Sequence, residues 1–213
     1  MRTPYGRTGF RSGLRIPRWP RRARLLPAAA AVTAVAAAVL TVLSPPGIPS
    51  DGGPATGTVG TRWGPLSPQD RILLVKVRQA GLWEMPAGQQ AAQRASDPRV
   101  KRVGDMIMSQ HLRLDADVRG TAQKLGVILP NQPNTDQQRW LKELSGKFGA
   151  DYDRDFVFRL RAAHGKVFAV IAQVRAQTQN SEIRAFAERA MTFVNTHMRL
   201  LESTGLVTRQ AVS

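Results

Sequence analysis

From residue 67 onward, apolar positions recur at steps of three and four, and each run is bounded by helix-starting and helix-stopping residues. Ser67-Pro68-Gln69-Asp70 combines a capping serine, a proline suited to a first turn and an early acid, and predicts a helix over about 68–95. Asp97-Pro98 opens a second helix, which runs to about Leu125 and stops at Gly126, with Pro130 beyond. Residues 135–146 read as a short helix led by Trp140, Leu141 and Leu144. A third long helix is expected from near Asp151 to about Thr178. Asn180-Ser181 then breaks the chain and caps a fourth, from about Glu182 to Thr204, with Gly205 as its stop. No segment sustains two-residue alternation, so no strand is predicted and the class is all-α.

The stripes on the four long helices define the expected core. The first carries Leu73, Val77, Ala80, Glu84, Ala87 and Ala91, and the second Val100, Val103, Ile107, His111, Leu114, Val118 and Leu125. The third carries Phe156, Leu160, His164, Val167, Ile171 and Val174, and the fourth Ile183, Ala187, Ala190, Val194, His197 and Leu201. Each stripe contains one ionisable residue in an otherwise apolar rhythm. All three histidines of the chain are among them. Counted from the helix starts, Glu84, His111, His164 and His197 lie about 13–16 residues in, near mid-height at about 1.5 Å per residue. Mid-height survives reversal of any helix. A four-helix bundle therefore brings the four side chains to one level whatever its topology.

Imidazole and carboxylate together suit zinc, iron, manganese or copper, and bundle cores are a usual place for such sites. A ferritin-type dinuclear centre would place a glutamate three residues before two of the histidines. Met108 and Val194 stand at those positions before His111 and His197. At most Glu84, His111, His164 and His197 form a site for one Zn, Fe, Mn or Cu ion, or the degenerate relic of a dinuclear site. The competing reading is a metal-free hydrogen-bonded cluster, in which Glu84 pairs with one histidine and Gln110 or Asn195, with a buried water, completes the network. A packing that separates the four groups is the third possibility. Pro86 is expected to kink the first helix beside Glu84, and Gly165 to give up bulk next to His164.

Other features have plainer readings. Met106, Met108, Met191 and Met198 are expected as core filling rather than soft metal ligands. Asp151, Asp153 and Asp155 lack the Gly-x5-Glu continuation of a calcium loop and suit a helix N-terminus. No motif supports a hydrolase or transferase. The absence of cysteine excludes disulfides, thiolate metal sites, iron–sulfur clusters and a lipid-anchored cysteine.

The first 60 residues follow different rules. Residues 1–24 hold eight arginines and no acid. Residues 25–43 form an uncharged run, about 28 Å long as a helix and close to the thickness of a bilayer core. Arginines on its N-terminal side keep that side cytoplasmic and send the rest outward. Ala36 and Ala38 offer small residues for signal cleavage, but inside the run, and Pro45-Pro46 after Ser44 disfavour it. The expectation is a single-pass anchor in the cell membrane with an extracytoplasmic domain; cleavage and secretion is the alternative. Residues 44–65, rich in proline and glycine, read as a flexible spacer before a bundle domain over 66–207 and a tail over 208–213. The net charge of +16 raises the question of nucleic acid. Of the 31 basic residues, eight precede the apolar run, leaving 23 against 15 acids. Those are mixed along the helices without a basic, aromatic stripe, so no nucleic-acid partner is expected. The membrane is the one partner the pattern names.

Gly81-Leu82-Trp83-Glu84, Gln110-His111-x-x-Leu114-Asp115, Leu125-Gly126-Val127-x-Leu129-Pro130, Arg161-Ala162-Ala163-His164-Gly165-Lys166 and His197-Met198-x-Leu200-Leu201-Glu202 occur in that order. In this the chain resembles a bacterial exported family, the domain of unknown function 4142, in an actinomycete-like version, over about Pro65 to Val207. The resemblance implies a ferritin-like four-helix bundle with a crossover between the second and third long helices. It implies no established activity. Many members carry an aspartate just before the histidine of the second helix, where this chain has Gln110.

Overall fold

The structure is a computed structural model and describes residues 57–207. Residues 1–24 and 25–43, the spacer up to residue 56 and the tail 208–213 lie outside the described residues. Among the described residues no helix is long and apolar enough to cross a membrane.

Among the described residues five helices form: α1 (Pro68–Arg94), α2 (Pro98–Leu125), α3 (Thr135–Ser145), α4 (Gly149–Gln177) and α5 (Ser181–Glu202). Their ends are set by local chemistry. Ser67 and Asp70 cap α1 reciprocally, the Ser67 hydroxyl accepting from the Asp70 amide and the Asp70 carboxylate from the Ser67 amide. Asp97 accepts from the Arg99 amide at the start of α2, and Gly126 ends that helix with a positive φ of 66°. Asn180 caps α5 through the Ile183 amide. α1 stays helical through Pro86.

The helices α1, α2, α5 and α4 surround one core, with α1 against α2 and α4, and α5 against the same two. α4 begins beside the turn between α1 and α2. There the buried Asp153 carboxylate accepts from the Ser96 amide and hydroxyl, at 3.1 and 2.5 Å, and from the Asp97 amide at 2.9 Å. The turn between α4 and α5 lies at the other end. Asn180 Nδ2 donates there to the Thr61 hydroxyl and the Gly64 carbonyl, both at 3.0 Å, just ahead of α1. α2 and α4 therefore run in the same direction. Residues 126–148 return the chain along the bundle, with α3 packed on α1 and α4.

Part of the expected spacer is ordered. Val59 and Leu66 exchange backbone hydrogen bonds at 3.0 and 2.8 Å, with Thr61 and Gly64 paired inside them. The Trp63 carbonyl accepts from the Ser181 amide at 2.9 Å. Composition misses this turn because its partners come from the distant α4–α5 corner.

The stripe positions are buried, apart from Val167, which is partly so. The core divides into two apolar clusters. One holds Leu73, Leu74, Leu114, Ile171 and Phe186, the other Trp83, Ile107, Tyr152, Phe156 and Leu160. Met191 and Met198 pack, partly buried, against the core as expected; Met108 is partly buried, and only Met106 departs, being exposed.

α1 and α2 cross closely through small residues. A Cβ on Gly88 would lie 2.5 Å from the Gly104 carbonyl oxygen, and one on Gly104 would lie 2.6 Å from Ala91 Cβ. Gly104→Val is therefore expected to lower stability by about 1–3 kcal/mol through overpacking. Gly120, in the same helix, has no such neighbour within 4 Å, and Gly120→Ala should add about 0.5–1 kcal/mol. Urea denaturation of the two variants checks both signs.

Candidate functional site

Between the two apolar clusters lies a polar layer, one side chain from each of α1, α2, α4 and α5. Glu84, His111, His164 and His197 are at most 3% exposed. One ligand-capable atom from each comes within 4.8 Å of all the others. The structure thus brings together all four residues that the stripes singled out.

The contacts are specific. Glu84 Oε2 lies 3.0 Å from His111 Nε2 and 3.3 Å from His164 Nε2. His164 Nε2 lies 2.9 Å from His197 Nδ1. The other nitrogen of His164, Nδ1, is 2.8 Å from the Leu160 carbonyl one turn earlier in α4. A carbonyl oxygen only accepts, so His164 Nδ1 carries a hydrogen. The other nitrogen of His197, Nε2, lies 3.1 Å from Gln110 Oε1. Gln110 is only partly buried, and Asn195, the other expected network member, is exposed. On α5 Asn195 lies two residues before His197, which turns it to the solvent face.

Room beside the site comes from Gly81 rather than Gly165. A Cβ on Gly81 would lie 3.8 Å from His111 Nδ1 and 3.7 Å from Asp115 Oδ1, whereas one on Gly165 would lie 3.3 Å from the Arg161 guanidinium. Asp115 is held in place by an ion pair with Arg78, whose Nε also donates to the Pro130 carbonyl. The N-terminal end of the crossover is thereby tied to α1 at Arg78, a little under two turns before Glu84.

Burial shapes the protonation of the layer. It is the main reason the His164 pKa lies below the ordinary 6.5, and Glu84 only partly opposes it. Burial, reinforced by His164 and His111, pushes His197 down to about 2. Burial works against the Glu84 carboxylate as well, but His164, His111 and the hydrogen bond from His111 together hold its pKa below 4.5. At neutral pH the layer therefore presents an ionised carboxylate and neutral imidazoles at 164 and 197. Imidazole lone pairs and a carboxylate are the donors that zinc, iron, manganese and copper take. Three nitrogens and one oxygen at this spacing could hold one such ion.

The model of the domain of unknown function 4142 matches residues 58–203. The chain belongs to this family. No curated protein and no solved structure matches it. The 4142 domain takes in the Val59–Leu66 turn, all five helices and all four residues of the polar layer. Its start at residue 58 agrees with the ordered turn and precedes the boundary near 65 expected from composition.

The depressed histidine values fix the sign of a pH effect on the metal-free protein. Below pH 6.5 the unfolded chain takes up protons at 164 and 197 that the folded chain does not, and below 4.5 it also gains one at 84. Stability must fall as pH drops through that window, by at most about 1.4 kcal/mol per pH unit for each site. Urea midpoints measured from pH 7 to pH 4 should decline, and His197→Phe should flatten the decline. A midpoint that rises on acidification would contradict this protonation scheme.

Proposed function

We propose that this protein holds one transition-metal ion, zinc, iron, manganese or copper, in the core of its bundle, ligated by Glu84, His111, His164 and His197. The observation that carries the reading is the position of His164. With its Nδ1 hydrogen given to Leu160 and its ring neutral, Nε2 is a bare lone pair. It faces the Glu84 carboxylate at 3.3 Å. Two acceptors at that distance repel unless a proton or a cation lies between them. A ligating histidine that gives its outer N–H to a backbone carbonyl is the usual arrangement around a metal. Ligands placed about 2.0–2.2 Å from a tetrahedral ion lie about 3.3–3.6 Å apart. The 3.3 Å separation of Glu84 and His164 matches this, and the 3.0 and 2.9 Å contacts need only open by a few tenths of an ångström.

The single long crossover supports a ferritin-like relationship, since one such connection characterises those bundles. The chain departs from their dinuclear pattern at Met108 and Val194, which argues for one ion. The arginines of 1–24 and the apolar run 25–43 support an exported, membrane-tethered module whose bundle faces away from the cytoplasm. There it would act as a metal-binding or redox module.

One observation favours a metal-free reading. His111 to Glu84 and His197 to His164 are contacts of hydrogen-bond length that need no ion. On that reading the cluster is structural and the domain works through its surface, as an interaction module of the cell envelope. Elemental analysis separates the two. Protein purified without chelators or affinity-column metal should carry about one transition metal per chain. A hundredfold excess of the preferred ion over its Kd should raise the Tm of the stripped protein by about 5–10 °C. His164→Ala should abolish both effects while remaining folded. The same replacement costs about 1–3 kcal/mol on either reading, so metal content, not stability, decides. No bound metal and no thermal shift with zinc, manganese, iron(II) or copper would overturn the proposal.

A further inference from the structure

We infer that Gln110 is a positioning residue, which keeps the proton of His197 on Nε2 and so makes this histidine ligate through Nδ1. The inference rests on the metal-binding reading of the same cluster. The inward atoms of His111 and His164 are both Nε2, whereas that of His197 is Nδ1. A neutral imidazole carries one hydrogen, and two acceptors compete for the one on His197. His164 Nε2, at 2.9 Å, would take it from Nδ1, and Gln110 Oε1, at 3.1 Å, takes it from Nε2.

The two placements have different consequences. A hydrogen on Nδ1 closes a His197–His164 hydrogen bond and blocks the lone pair that an ion needs. A hydrogen on Nε2 leaves Nδ1 bare beside the bare Nε2 of His164 and the Glu84 carboxylate, which is the ligating state. His164 has its tautomer fixed within its own helix by Leu160. The tautomer of His197 is fixed from across the α2–α5 seam, by the residue preceding His111. Gln110 is also partly exposed, unlike the four groups it adjoins, so a change there alters this bond with little disturbance of the core.

Zinc is the probe, on the full chain, with affinity measured by competition against a chromophoric chelator. Gln110→Leu removes the acceptor and should weaken zinc binding about 10–100-fold. Gln110→Glu restores an acceptor and should return wild-type or tighter affinity, which a merely structural role for the amide would not predict. Nitrogen-15 NMR of the zinc-loaded wild type should show His197 protonated at Nε2 and metal-bound at Nδ1. Wild-type affinity in Gln110→Leu, a loss in Gln110→Glu equal to that in Gln110→Leu, or zinc on Nε2 of His197 would each overturn the inference. A wild type that binds no zinc, iron, manganese or copper removes the metal reading and this inference together. A wild type that binds zinc beside an unaffected Gln110→Leu removes this inference alone.

Discussion

Glu84 is a carboxylate at 1% exposure in the middle of a helical bundle, and the rest of the layer is arranged around it. An isolated charge in such a place costs several kcal/mol, and it persists only where partners replace its water. His111 supplies a donor from α2, His164 lies against the carboxylate from α4, and His197 closes the layer from α5. The compensation is incomplete as long as His164 offers a lone pair. Its outward hydrogen is committed to Leu160, so what it presents to Glu84 is another acceptor. A positive charge at the centre of the four groups would resolve the conflict, and this is the ground on which a metal site is proposed.

Such a layer needs helices that do not slide. The protein ties them at both ends. At one end Asp153 locks α4 to the turn between α1 and α2, and at the other Asn180 and Ser181 lock the α4–α5 corner to the Val59–Leu66 turn. Between these clamps the glycine contact of Gly88 with Gly104 sets the α1–α2 spacing close to the layer. An apolar cluster flanks the layer on each side, and the burial this gives drives His164 and His197 toward their neutral form.

Most of the bundle was legible in the sequence because its signals are local. Ser67-Pro68, Asp97-Pro98, Gly126 and Asn180 each act within a turn, and the stripes record which face is buried. The convergence of Glu84 and the three histidines followed from helix rise alone. What escaped was long-range. The Val59–Leu66 turn has a spacer's composition, and its order comes from Asn180 and Ser181. Asp153 reads as a helix-terminus acid and proves to be a buried clamp. Met106 was expected as core filling and is exposed, and the bulk that Gly165 gives up lies against Arg161. Gln110 and Asn195 were equivalent candidates in the sequence. Only the packing of α2 on α5 distinguishes them. The proton positions on the imidazoles depend on distances that no spacing encodes.

The central claim is that these four side chains enclose a single ion, and X-ray absorption spectroscopy of the zinc-loaded protein tests it most directly. The account predicts four light-atom neighbours at about 2.0–2.2 Å, with the multiple-scattering signature of three imidazoles. A shell of six oxygens, or one without imidazole scattering, would place the ion elsewhere and contradict the account.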